Sequence, residues 1–281
     1  VNTKDRKEYL LIALSSLLAQ TYPDWDLFIS DASADPVIND ERVSRLLTVF
    51  KKYNHNVTYL TDQSAGIPAT YQKMLEMSTT DWVVRQEDDV WFEPEMLERL
   101  VETMEKDDRC GAVAPCTPRF DQTGGTSTLP DKLRNGFVMV PSALAPNMGL
   151  IHEAVDQQHL ITAEDRTYDV CTLHGGSLYR RKAALDAGGF CTHFSPVGHR
   201  EETMFYLRVY FAGWNLKVRT VARLWHFESS FGGSRSKGAM SDERQNFRRA
   251  DEQRFQLELQ VLLRNYPDRV IDVFDSAPSN M

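Results

Sequence analysis

No apolar run in the sequence approaches the ~18 to 20 residues that a membrane-spanning helix needs. Its first residues also lack a basic stretch followed by an apolar one, the mark of a secretory leader. A cytoplasmic protein without a membrane span, at most peripheral to a membrane, is the expectation. Cysteine is scarce: Cys110, Cys116, Cys171 and Cys191 are the only four, and no spacing among them makes the C-x-x-C of a zinc or redox pair. Four is too few to staple 281 residues, so reduced thiols are expected. Positive charge is short too, with 32 Lys and Arg against 40 Asp and Glu and a formal net charge of −8. This disfavours a nucleic-acid or anionic-membrane binder, which needs a positive field, and suits divalent cations. Glycine is absent from the Thr3 to Arg6 region, which argues against the glycine-rich N-terminal loop of a nucleotidyltransferase.

What is present is ordinary globular composition, 42% apolar and 26% charged, enough for a sizeable core. At about 150 residues per domain, the chain makes one large domain or two small ones. Leu10, Leu14 and Leu17 recur at helix period between Arg6 and Gln20, and Pro23 ends the pattern. A strand over Trp25–Ser30, a helix over Asp40–Tyr53, a strand over Val57–Leu60 and a helix over Pro68–Met77 follow. A third unit has a strand at Trp82–Gln86, a helix at Pro94–Lys106 and a strand at Gly111–Pro115. This alternation predicts βαβ units on a mostly parallel, Rossmann-like sheet flanked by helices. Ligands of such sheets bind beyond the carboxyl ends of the strands, where Asp31 and the cluster Glu87-Asp88-Asp89 fall.

Periodicity is lost over residues 117–168, read as an insertion that carries specificity. Order returns from Cys171 to Tyr179, then in helices at Arg181–Ala187 and Glu201–Ala212, the second closed by Gly213. A strand at Leu216–Val221, a Ser- and Gly-rich stretch over Ser229–Gly238 and a charged helix over Asp242–Arg264 complete the chain. One large domain is expected, with residues 1–115 and 116–228 as its two halves. A loop and C-terminal helix over 229–281 finish it.

Three constellations could carry chemistry, and each has a plain structural reading beside it. Glu87-Asp88-Asp89 offers carboxylates to Mg²⁺ or Mn²⁺, or is an acidic turn ahead of a helix. His226 could join a mixed nitrogen and oxygen set for Mn²⁺, or be a core histidine. Glu201-Glu202 opens a helix, where acids are favoured anyway; alternatively, mutual repulsion raises the pKa of one, which then serves as a general base.

The residues also spell a resemblance. Thr3-x-x-Arg6, the stretch Leu17-Leu-Ala-Gln-Thr-Tyr-Pro-Asp-Trp25 with Ile29-Ser-Asp31, Glu87-Asp88-Asp89 with Pro94, Gly175-Gly176 leading to Arg180-Arg181 and Gly188-Gly189-Phe190, Glu201-Glu202 with Arg208, and Trp225-His226 occur in order. Over residues 1 to 228 the chain thereby resembles family-two glycosyltransferases of the GT-A fold, which implies that residues 1–115 are the nucleotide-sugar-binding half and 116–228 the acceptor and catalytic half. The resemblance implies that Thr3 and Arg6 wall the nucleotide and that Asp31 meets the base, most often uracil. It makes Asp89 and His226 the metal ligands, with Glu87 at the first position of the family's D-x-D signature and Asp88 on ribose or donor sugar. Gly175 and Gly176 lie where donor and acceptor meet, Glu202 takes the place of the catalytic aspartate, and Glu201 precedes it as partner. Departures are the glutamate that begins D-x-D, the E-E pair, and a nearly absent first strand, so that residues upstream of Val1 are expected.

The expected activity is inverting, metal-dependent transfer of a sugar from a UDP-linked donor to a carbohydrate or other hydroxyl acceptor. The rivals are a retaining transferase of the same fold and a sugar-nucleotide-binding subunit without turnover. The stretch Glu228–Gly238 is expected to close over the donor, with Arg235 and Lys237 meeting the diphosphate.

Overall fold

The computed structural model describes residues 1–61, 66–118, 164–227, 242–266 and 269. The first third of the chain follows the expected alternation: β1 (Asn2–Thr3), α1 (Lys7–Leu18), β2 (Leu27–Asp31), α2 (Glu41–Lys52) and β3 (Val57–Thr61). The three strands pair in parallel in the order β1-β2-β3, with Thr3 opposite Asp31 and Asp31 opposite Thr61. Helix α1 buries Leu10, Ala13, Leu14 and Leu17, the i, i+3, i+4, i+7 stripe that commits it to the sheet. Helix α2 begins where the Asp40 carboxylate accepts the Arg42 amide at 2.9 Å, a cap that satisfies one of the free N–H groups.

The rest of the chain departs from parallel pairing. It comprises α3 (Gly66–Met77), β4 (Trp82–Val84), β5 (Val90–Phe92), α4 (Met96–Glu105), β6 (Cys110–Cys116), β7 (Thr167–Val170) and β8 (Leu178–Arg180). α5 (Arg181–Asp186), α6 (Glu201–Phe211), β9 (Asn215–His226) and α7 (Asp242–Asn265) complete it. These strands form a second sheet, ordered β4-β8-β6-β9-β5 with β7 also on β9, in which only β6 and β9 run parallel. The two sheets meet at β1, where the Asn2 amide donates to the Gln86 carbonyl at 3.3 Å and Asn2 bridges to Glu87. The α/β class therefore holds, and the sheet is mixed rather than mostly parallel.

Helices cover both faces, and the strands show it by alternation. Leu178 belongs to the core that holds Leu10, Ile29, Phe50, Phe92 and Leu100, while the next residue, Tyr179, belongs to a second core with Tyr71, Phe190, Phe205 and Val218. Phe190 and Phe205 stack at 4.1 Å between ring centres. Helix α6 is buried on nearly every side, so its two leading glutamates enter the protein with it.

Some elements differ from expectation. Order around residue 171 takes the form of two short strands, β7 and β8, separated by the irregular stretch that carries Gly175 and Gly176. β9 runs on past Val221 to His226, and β5 was not foreseen. Residues 119–163 and 228–241 fall outside the described residues, and with them most of the expected insertion, the expected closing stretch and Arg235.

All four cysteines are free and buried. Burial pushes the thiols of Cys110, Cys116 and Cys171 up to about 12, and that of Cys191 higher still, which keeps them protonated and unreactive. A water-soluble disulfide reagent at neutral pH should leave all four untouched in the native protein and label four per chain after denaturation.

Candidate active site

The chain leaves β4 at Val84, turns through Glu87-Asp88-Asp89 and returns in β5, so the acid cluster sits at a strand end. β5 lies antiparallel to the end of β9, with Val90 opposite His226, and the Phe227 amide donates to the Asp89 carbonyl at 2.9 Å. That pairing brings His226 Nε2 to 3.3 Å from Asp89 Oδ1. Glu87, Asp89 and His226 each offer a ligand atom, and the three atoms lie within 4.8 Å of one another. Apart from this approach of the His226 imidazole, Asp89 Oδ1 is buried without a hydrogen-bond donor. Two carboxylates and an imidazole, with one buried oxygen wanting a positive partner, are a donor set that fits Mn²⁺ or Mg²⁺.

The other oxygen of Asp89 is held inside the protein. Arg6 Nη1 lies 2.8 Å from Asp89 Oδ2 and 3.1 Å from Asp88 Oδ1, while Thr3 donates its hydroxyl to Asp88 Oδ2 at 2.6 Å. Burial pushes Asp88 up to about 6 against the pull of Thr3 and Arg6. For Asp89 the upward push of burial is outweighed by His226 and Arg6, and its carboxyl sits below the usual range. Thr3, Arg6, Asp88 and Asp89 thus form one network, in which both oxygens of Asp88 are engaged by protein groups. Asp31, buried at the end of β2, accepts the Ser33 amide at 2.8 Å, the Val37 amide at 2.7 Å and the Tyr59 hydroxyl. Its visible contacts organise the loop after β2.

The second carboxylate site lies at the start of α6. Glu201 is fully buried and its Oε2 accepts from Arg85 Nη1 at 2.9 Å. Glu202 Oε1 accepts the Gly175 amide at 2.8 Å and lies 3.5 Å from Arg85 Nε, while His174 Nδ1 is 3.2 Å from Oε2. Arg85 is itself buried, with its guanidinium 4.1 Å from the centre of the Tyr71 ring. A cation between the two glutamates replaces the mutual repulsion expected from their adjacency. Glu201 is its direct partner, and Glu202 is turned toward the glycine loop. Arg85 and His174 were missed by the sequence reading. The one available signal for Arg85 is an arginine that directly continues the apolar run Trp82-Val83-Val84.

Gly175 and Gly176 join the two sites. Gly175 touches Glu202, and a Cβ on Gly176 would stand 3.2 Å from Gln86 Oε1, beside Glu87, and only 2.7 Å from Leu224 Cδ1. Gly176 has φ +56, the left-handed region. Gly176→Ala should lower stability by about 2–4 kcal/mol through strain and overpacking. At Gly175, where a Cβ would meet nothing within 4 Å, alanine should cost only about 1–2 kcal/mol. Equilibrium denaturation of both variants checks the difference. A cavity of about 380 Å³ between the starts of β2 and β4 is lined by Leu27, Phe28 and Trp82 and contains none of the five acids or His226.

Comparison with known proteins decides the family. The model of glycosyl transferase family 2 matches residues 1–186. The chain belongs to glycosyl transferase family 2. Solved structures of GT-A glycosyltransferases share its fold. An S. aureus TarS 1-349 structure in complex with UDP-GlcNAc superposes with a TM-score of 0.62 at 12% identity, over 99% of this chain and 72% of that one. The mannosyltransferase PcManGT from Pyrobaculum calidifontis, in complex with GDP-Man and Mn²⁺, gives 0.57 at 15% identity, over 89% and 59%. A glucosyl-dolichyl phosphate glucuronosyltransferase of Haloferax volcanii is 23% identical over 242 residues, 81% of this chain and 68% of that protein. Of the longer TarS chain, this family-2 chain spans 36%. The family match ends at 186, so it takes in the acid cluster and the glycine loop but stops short of Glu202 and His226. Among the described residues, no helix is long and apolar enough to cross a membrane.

Proposed function

We propose that the protein is an inverting glycosyltransferase that uses a metal ion and a nucleoside-diphosphate sugar, UDP-linked for preference, to glycosylate a hydroxyl acceptor. The observation that carries this reading is the glycine loop 175–176 set between two different carboxylate sites. One site, Glu87, Asp89 and His226, has the composition of a divalent-metal centre. The other presents Glu202. Held by Glu87, Asp89 and His226, Mn²⁺ or Mg²⁺ would neutralise the charge of the departing diphosphate.

The chain's own residues supply the rest. Arg6 and Thr3 fix the Asp88-Asp89 carboxylates, so that Asp89 Oδ1 faces His226 without rearrangement. Glu202 accepts the proton of the acceptor hydroxyl as that oxygen attacks the anomeric carbon, and the Gly175 amide and His174 hold its carboxylate for the purpose. Arg85 places its positive charge beside both glutamates, 2.9 Å from Glu201 Oε2 and 3.5 Å from Glu202 Oε1. The sugar-nucleotide complexes of the structural relatives, one with UDP-GlcNAc and one with GDP-Man and Mn²⁺, agree with this donor class. A panel of UDP-sugars, each incubated with and without Mn²⁺, tests the reading by nucleotide release. Release should depend on the metal and be confined to one or a few donors. Tight UDP binding with no release from any donor would instead favour a sugar-nucleotide-binding subunit without turnover.

A further inference from the structure

The C-terminal helix α7 lies beyond the family match and carries a carboxylate unlike its other acids. Asp251 is fully buried, whereas the acids at the start of that helix, Asp242 and Glu243, are exposed. Its Oδ1 accepts the Ser195 amide at 2.8 Å and lies 3.3 Å from Arg254 Nη1. Its Oδ2 accepts the Ser195 hydroxyl at 2.5 Å and the His199 amide at 3.1 Å. The next residue, Glu252, lies 3.1 Å from Arg200 Nε and 3.5 Å from His199 Nε2. All the protein donors but Arg254 come from one turn, Ser195-Pro-Val-Gly-His-Arg200, which runs directly into Glu201-Glu202.

That turn is strained. Arg200, the residue from which α6 starts, has φ +66, a left-handed conformation that costs a non-glycine residue about 1–2 kcal/mol and persists only where the surroundings impose it. Two clamps impose it here. On one side is the Asp251-Glu252 pair. On the other, the Ile67 amide donates to the Pro196 carbonyl at 3.0 Å, and Gly66 is so close that a Cβ would fall 2.4 Å from Pro196 Cα. A buried carboxylate that accepts three hydrogen bonds from one turn fixes where that turn delivers its next residues.

We infer that Asp251 is a positioning residue for catalysis: by clamping the 195–200 turn it sets the direction of Glu202, and α7 is thereby part of the active-site machinery. This rests on the assignment of Glu202 as the base. A shift of about 1 Å in a reacting group can cost up to about a hundredfold in rate. Asp251→Asn places an NH₂ group against donors, and its kcat should fall about ten- to a hundredfold, with donor KM within about twofold of wild type. Calorimetric titration with UDP plus Mn²⁺ should still show one site per folded chain, so the loss is not a loss of active molecules. Ser195→Ala, which removes one donor from the same clamp, should give a smaller fall in kcat with the same unchanged KM, and serves if Asp251→Asn does not fold.

The deciding measurement is a double-mutant cycle with Glu202→Gln. Because Asp251 acts through Glu202, adding Asp251→Asn to Glu202→Gln should leave the residual rate unchanged. Multiplying of the two effects, or a wild-type kcat in Asp251→Asn, would overturn the positioning role while leaving Glu202 as base. Near-normal turnover of Glu202→Gln alone would instead overturn the assignment on which the inference rests.

Discussion

Glu202→Gln should lower kcat for sugar transfer by about 10²–10⁴, the usual worth of a general base, while leaving donor affinity nearly unchanged. Glutamine keeps the size of the side chain and an oxygen for the Gly175 amide but cannot take a proton. Glu201→Gln should behave differently. Glu201 is the buried partner of Arg85, and weakening that pair leaves a buried guanidinium short of charge, a loss of up to about 3–5 kcal/mol where such a pair is broken outright. Its main consequence should therefore be read in the denaturation midpoint, and that of Glu202→Gln in turnover. Equal effects of the two substitutions on kcat at equal stability would remove the distinction drawn from Arg85.

Asp89→Ala should have the second large effect. It deletes the buried carboxylate oxygen that faces His226 at 3.3 Å, and it takes from Arg6 a partner at 2.8 Å. Charge neutralisation by a bound cation is worth several kcal/mol, so kcat/KM should fall by about 10²–10³ or more. Calorimetry separates this from a general loss of structure. UDP affinity of the wild type should drop on chelation with EDTA, whereas the variant should bind UDP weakly and equally with and without EDTA. Unchanged metal dependence in the variant would place the cation elsewhere.

The parts of this account that were legible in the sequence are those written in local periodicity. Leu10, Leu14 and Leu17 announce the buried face of α1, and the helix expected over Asp40–Tyr53 is α2, because such signals act within a few residues. The family motifs located the acid cluster, Gly175-Gly176 and the glutamate pair, and the structure brings Glu87, Asp89 and His226 within reach of one another. β5 was not legible, because three residues carry no period. It exists because β9 lies beside it. The antiparallel pairing of β8 with β4 and β6 was not legible either, since it joins segments about 70 to 100 residues apart for which no local pattern encodes direction. Arg85 was missed because a buried arginine reads in a sequence as a surface residue, and its meaning depends on Glu201 and Glu202 arriving from 116 residues further along. The Asp251 clamp was invisible for the same reason: an aspartate inside a charged helix looks solvated until the turn it caps is folded against it.

The anomeric configuration of the first sugar released tests the central claim most directly. With a UDP-α-sugar that the protein turns over and water standing in for the acceptor, proton NMR can follow the anomeric signals before mutarotation mixes them. Single displacement, with Glu202 deprotonating the incoming oxygen on the face opposite the diphosphate, predicts that the β-anomer appears first. First appearance of the α-anomer would contradict that geometry and make the glutamate pair an acceptor-positioning device in a retaining enzyme.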